Sequence, residues 1–228
     1  MREIVLDTET TGLDPAQGDR IVEIGAVELF NHMPTGKTYH QYINPERAMP
    51  QEAFAVHGLG DDFLRDKPVF ARIAQEFLDF IGDAVLVIHN AAFDMKFLNA
   101  ELGWMKLPRL PMERVLDTLA IARKKFPGSP ASLDALCRRF EINSFERELH
   151  GALLDSEILA EVYLELIGGR QPDFGLGASG HEAKGEGGQA WRAMPRPTPL
   201  PPRLTKEESA AHEAMIKAMG DAALWRKS

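Results

Sequence analysis

Met1-Arg2-Glu3-Ile4-Val5-Leu6-Asp7-Thr8-Glu9-Thr10-Thr11-Gly12-Leu13-Asp14-Pro15 opens the chain, and its reading decides the fold. Residues 3–7 (EIVLD) are a short apolar run that ends on an acid, the pattern of a strand. Thr11 to Pro15 supply turn chemistry. The run is far shorter than the roughly 18 apolar residues of a membrane span, and it lacks the layout of a signal peptide. Residues 20–30 (RIVEIGAVELF) and 37–43 read as two further strands, so the chain begins as a β-meander.

Beyond the meander the period changes. Val69, Ile73, Phe77 and Ile81 recur at helical spacing within residues 68–82, with Pro68 suited to a first turn. Residues 84–88 (AVLVI) read as a fully buried strand, and helical patterns follow at 91–102, 117–125, 132–140 and 151–167. Strands followed by alternating strands and helices predict an α/β domain, with a mixed sheet and helices on both of its faces. The composition shifts near residue 168. Residues 171–203 hold 6 Gly and 6 Pro in 33 positions, which predicts a flexible linker. Order is expected to return at Thr205-Lys206-Glu207-Glu208, which has capping-box spacing and opens a short helix to about Met219. The expected organisation is therefore a domain over 1–170, a linker over 171–204 and a terminal segment over 205–228.

Charge limits the function. Of 228 residues, 26 are Lys or Arg and 34 are Asp or Glu, for a net charge of −8. The deficit is local: residues 1–170 hold 18 basic against 27 acidic side chains, and residues 171–228 hold 8 against 7. A domain that gripped duplex DNA by neutralising phosphates would need a basic face. This one offers only Arg123-Lys124-Lys125 and Arg138-Arg139, equally readable as solvated helix faces. Bound divalent cations could still let an acidic domain process a nucleic acid delivered by a partner. Cys137, the single cysteine, cannot form an internal disulfide and sits in a helical apolar pattern, so it reads as a packed thiol in a reducing cytoplasm.

Three polar constellations carry the chemistry. Asp7 and Glu9 lie two apart on a strand, which puts both carboxylates on one face, about 7 Å apart along the chain; surface strands often carry such pairs without function. In Val87-Ile88-His89-Asn90-Ala91-Ala92-Phe93-Asp94, a buried strand runs into a helix. Asn90 as N-cap and Asp94 as a dipole-matched first-turn acid would explain the residues structurally. Yet the acid also falls just past a strand end, where open α/β sheets gather ligands. In His150-Gly151-Ala152-Leu153-Leu154-Asp155, Asp155 adjoins the apolar stripe Leu154, Ile158, Leu159, Val162 and Leu166, a costly place for a carboxylate. His150 precedes that helix in a Gly-containing turn, where a lone histidine is usually just a satisfied loop residue. Together, three or four carboxylates suit two hard divalent cations. A histidine can serve as base toward water, and no nucleophilic Ser or Cys accompanies the set.

Asp7-Thr8-Glu9-Thr10-Thr11-Gly12-Leu13, His89-Asn90-Ala91-Ala92-Phe93-Asp94 and His150 to Asp155 resemble, in order, the three motifs of the DEDDh class of 3′→5′ exonucleases. The resemblance covers residues 1 to about 168 and holds at all five active-site positions. It implies a ribonuclease-H-like five-stranded sheet flanked by helices. It also implies two Mg²⁺ or Mn²⁺ ions, with Asp7, Glu9 and Asp155 on the tighter one, Asp7 bridging to the second and Asp94 supporting it. His150 would be the general base. Pro50 to Gly58 resembles the stretch that meets the terminal nucleotide, implicating Glu52 and His57; a helix-capped loop with an incidental histidine reads similarly. The backbone around Thr10 could meet that nucleotide too, though its turn explains it as well.

The tail narrows the class. Gln171-Pro172-Asp173-Phe174-Gly175-Leu176 resembles a degenerate sliding-clamp peptide, anchored by Gln171, Phe174 and Leu176, although so short a match also arises by chance. The segments from Thr205 to Ala214 and at Leu224-Trp225-Arg226 resemble the end of the epsilon-type proofreading subunits of bacterial DNA polymerase III. That resemblance implies that this region, Trp225 included, binds the polymerase alpha subunit; a small helix folded back on the domain is the plain alternative. It further implies a DNA 3′ end as substrate, mispaired and frayed, and a small third core subunit as an additional partner. The rival readings are an RNA exonuclease of the same class and a structural subunit without needed activity.

Overall fold

A computed structural model describes residues 1–142, 150–168 and 204–220. The chain divides into two units, Met1–Phe174 and Gly175–Ser228. The first is built on a five-stranded sheet in the order β3-β2-β1-β4-β5, made of β1 (Arg2–Thr10), β2 (Ile21–Phe30), β3 (Met33–Tyr42), β4 (Val85–Ile88) and β5 (Val115–Asp117). Strands β1, β2 and β3 form the antiparallel meander, while β4 and β5 run parallel to β1. The mixed sheet expected from the sequence is present.

Several boundaries differ from the sequence reading. The first strand does not stop at Asp7 but continues to Thr10, so Asp7 and Glu9 both lie within it. The third begins at Met33 because Asn31 (φ 50°) and His32 (φ 66°) make a two-residue turn that keeps Phe30 paired with Met33. Two short helices stand where only a loop was read, α1 (Gln51–His57) and α2 (Asp61–Leu64). The next helix, α3 (Phe70–Ile81), starts two residues after Pro68, which therefore lies outside it. Strand β5 has only three residues, too few to show a period.

The two sheet faces bury different helices. Ile4, Leu6, Ile24, Leu86 and Ile88 face α3 and α4 (Ala91–Trp104), meeting Phe70, Phe77, Phe97 and Leu98. Each such large apolar side chain contributes roughly 1.5–3 kcal/mol on burial. On the opposite face Val5, Val27, Leu29 and Val87 meet Leu159 and Tyr163 of α7 (Ala152–Ile167). Helices α5 (Thr118–Lys125) and α6 (Leu133–Phe140) pack on α7 through Ala122, Leu136, Cys137, Ile158, Val162 and Leu166, with Cys137 1% exposed. Helix α7 lies very close to the sheet at Gly25: a Cβ there would stand 2.1 Å from the Ala152 carbonyl carbon. The Ser156 hydroxyl uses the same gap to donate to Gly25 O at 2.8 Å.

Within the second unit, α8 (Lys206–Met219) begins with the expected capping box: Glu208 N–H donates to the Thr205 hydroxyl and Thr205 N–H to the Glu208 carboxylate. No helix among the described residues is long and apolar enough to cross a membrane.

Candidate active site

Strand β1 alternates, and its odd face carries the acids. Asp7 pairs in register with Gly25 and Glu9 with Glu23, so all four positions lie on the face that α7 covers. The N-terminus of α7, admitted by Gly25, brings Asp155 to that face with 3% of its surface exposed. His150, just before the helix, places Nδ1 3.2 Å from Asp155 Oδ2. One ligand atom each from Glu9, His150 and Asp155 falls within 4.8 Å of the others. Two carboxylates and an imidazole are a donor set that can hold a divalent cation. The His150 amide donates to Val56 O at 3.1 Å, tying this residue to α1.

Asp94 approaches from the other side of β1. It is 3% exposed and accepts the Thr8 hydroxyl at 2.7 Å. Burial pushes its carboxyl up to about 7; the nearby charge of Asp117 adds to the rise, while the Thr8 hydroxyl and backbone N–H groups oppose it. Asn90 occupies the N-cap position of α4 as read from the sequence, but it adopts a left-handed conformation (φ 62°) and its side chain makes no capping bond.

Beside the acids lies a cavity of about 330 Å³, lined by residues of the β1 end and its turn, by Pro50, Glu52, Ala53, Val56 and His57 around α1, and by Phe93. Thus Glu9, Thr10, Glu52 and His57 line one space. The Thr10 hydroxyl donates to Gly12 O at 2.6 Å. His57 is buried; its Nδ1 accepts from Leu59 N–H at 3.0 Å, and Nε2 has no hydrogen-bond partner among the described residues. Burial lowers its pKa from the ordinary histidine value, and the nearby His150 adds to the fall. Gln171, Phe174, Leu176 and Trp225, the tail residues singled out from the sequence, lie outside the described residues.

Two further acids border the site and were not singled out by the sequence. Glu23 lies opposite Glu9 and meets His40 Nε2 at 2.7 Å. Asp117 ends β5. Glu23 owes its place to the register between β1 and β2, and Asp117 to the pairing of β5 with β4; neither register is signalled by a local pattern.

The family profile RNase_T, described as exonuclease, matches residues 4–163. The DNA polymerase III subunit epsilon of Escherichia coli (strain K12) is 46% identical over 237 residues, covering 99% of this chain and 97% of that protein. The chain belongs to the epsilon-subunit family of exonucleases. Its counterpart in Rickettsia conorii is 58% identical over 177 residues, 76% of this chain and 77% of the relative. Among solved structures, exonuclease X in complex with 5′ overhanging duplex DNA superposes with a TM-score of 0.58 at 27% identity, over 72% of this chain and 90% of that one. The nuclease domain of 3′hExo, a DEDDh family member bound to rAMP, gives 0.62 at 20% identity, over 73% and 91%; it supports the fold alone. This epsilon-family exonuclease is thus a phosphodiester hydrolase, and its family is divalent-metal dependent.

Proposed function

We propose that this exonuclease proofreads DNA, removing the mispaired 3′-terminal nucleotide of a primer, and that Asp7, Glu9, Asp94, His150 and Asp155 carry the reaction. The observation that supports this most is the convergence of Glu9, His150 and Asp155 from strand, turn and helix. Asp7, Glu9 and Asp155 would hold the tighter of two ions, Mg²⁺ or Mn²⁺, with Asp7 shared with the second and Asp94 supporting it. Such ions, when bound, offset phosphate charge on both the attacking and leaving oxygens. The protein's own residues do the rest. With Nδ1 of His150 engaged by Asp155, Nε2 takes the proton as water attacks the terminal phosphorus. The bond from phosphorus to the 3′ oxygen of the preceding nucleotide breaks, that oxygen takes a proton from solvent, and a nucleoside 5′-monophosphate leaves. The cavity bordered by Thr10, Glu52 and His57 receives the terminal nucleotide.

The acidic domain gains its DNA from its assembly. The relatives are named as subunits of DNA polymerase III. We read residues 1–170 as the nuclease, 171–204 as a linker with a clamp-binding peptide at Gln171, Phe174 and Leu176, and 205–228 as the segment, with Trp225, that holds the alpha subunit. Tethering raises the local concentration of primer ends without a basic face. A chain ending at Arg170 should keep its activity on free single strands and lose the polymerase. A third core subunit would add to this assembly.

The test is release of the 3′ nucleotide from a mispaired DNA primer, a paired primer and an RNA oligomer, with Mg²⁺, with Mn²⁺ and with EDTA. The expected result is metal-dependent removal from DNA, faster at the mismatch. Preference for RNA would overturn proofreading while keeping the chemistry; inertness on all three would leave only a structural subunit.

A further inference from the structure

The turn from β4 into α4 is clamped from the neighbouring strand. Asp117 ends β5 in register with Ile88, which ends β4. Its Oδ1 accepts Leu119 N–H at 2.9 Å, capping α5, and the same oxygen accepts Asn90 N–H at 3.1 Å. The next residue extends the clamp: the Thr118 hydroxyl lies 2.9 Å from His89 Nδ1 and 3.3 Å from Ile88 O. What is clamped is a left-handed turn: Asn90, of a residue type that tolerates this region, holds φ 62° and its side chain makes no capping bond, so the turn is tied to its neighbours through the backbone amide. Four residues on is Asp94, whose position depends on where α4 starts.

We propose that Asp117 is a positioning residue of the exonuclease site: it holds the left-handed Asn90 turn through the Asn90 amide and so fixes the Asp94 carboxylate against β1. A cap on α5 needs only one bond to Leu119, and the second bond, across 27 residues to Asn90, is the one this role uses. The inference rests on the reading of Asp94 as part of the site, so Asp94→Asn is measured in parallel.

The experiment uses the full chain with Asp117→Ala, Asp117→Ser and Asp117→Asn, read by kcat and KM on a single-stranded DNA oligomer and by hydrogen exchange of the Asn90 amide. In Asp117→Ala we expect kcat to fall about tenfold, KM to change less than twofold, and the Asn90 amide to lose protection. Asp117→Asn keeps an acceptor at Oδ1 and should recover most of kcat. Asp117→Ser retains a capping oxygen for α5 on a shorter arm; it should fold normally yet stay slow, which covers the case in which Asp117→Ala does not fold. Wild-type kcat in Asp117→Ser, or slow turnover with the Asn90 amide still protected, would overturn the proposal. Full activity in Asp94→Asn would instead remove the reading beneath it, whatever Asp117 does.

Discussion

The two ends of the odd face of β1 treat their acids in opposite ways. At one end Glu3, fully buried, accepts the Tyr163 hydroxyl at 2.6 Å and His32 N–H at 3.2 Å, with His32 Nδ1 2.9 Å away. At the other end Glu9, Asp155 and His150 gather their ligand atoms against one another. The same helix serves both, through Tyr163 near its C-terminus and Asp155 near its N-terminus. A carboxylate sealed by organic donors is part of the scaffold, whereas carboxylates crowded together raise the local negative potential and suit a cation. Burial alone does not separate a structural acid from a catalytic one; the identity of its neighbours does.

That contrast can be broken at either end. Asp155→Ala or Asp7→Ala should lower nuclease turnover at least about 1,000-fold, close to 4 kcal/mol of barrier, while circular dichroism and cooperative unfolding persist. Retained activity in either would remove the metal assignment. Asp94 sharpens the contrast through pH. Its carboxyl rises from the ordinary 3.8 to about 7, so the folded, metal-free protein binds a proton there that the unfolded chain has released. The contribution of Asp94 to stability is then fully present below about pH 4 and is lost as pH rises toward 7, by up to about 1.4 kcal/mol per pH unit. Denaturant titrations in EDTA should show this slope for the wild type and a flatter profile for Asp94→Asn.

Closer to the scaffold, Gly25→Ala would force a methyl group into the Ala152 backbone. It should cost about 3 kcal/mol in urea unfolding and also slow the nuclease, because the displaced helix carries Asp155. Tyr163→Phe makes the smallest change. It should cost about 1–2 kcal/mol by leaving a buried carboxylate short of a donor, and it should leave kcat near that of the wild type. A large loss of turnover in Tyr163→Phe would mean that the two ends are coupled after all.

The sequence made the motif acids legible because each sits on a local pattern: a two-residue strand repeat at Asp7 and Glu9, and a first helical turn at Asp94 and Asp155. The apolar stripe of α3 and the Thr205 capping box were legible for the same reason. What escaped depends on partners distant in sequence. Glu3 reads as an ordinary strand acid until Tyr163 is brought to it from 160 residues away. Strand β5 shows no period in three residues and exists through its pairing with β4. Asn90 looks like a side-chain cap, but its turn is held from Asp117. The length of β1 was underestimated because Thr8 and Thr10 resemble the turn residues that follow them; pairing with Ile24 and Ile21 extends the strand.

Cys137, 1% exposed on α6 against α7, gives the protein a built-in clock. A thiol reagent can reach this one sulfur only when the α6 and α7 packing opens, so the modification rate reports the frequency of that opening. Because no other cysteine competes, mass spectrometry of the intact chain would follow a single event. The same sealed thiol leaves the surface clear for one engineered cysteine to be labelled selectively in the folded state.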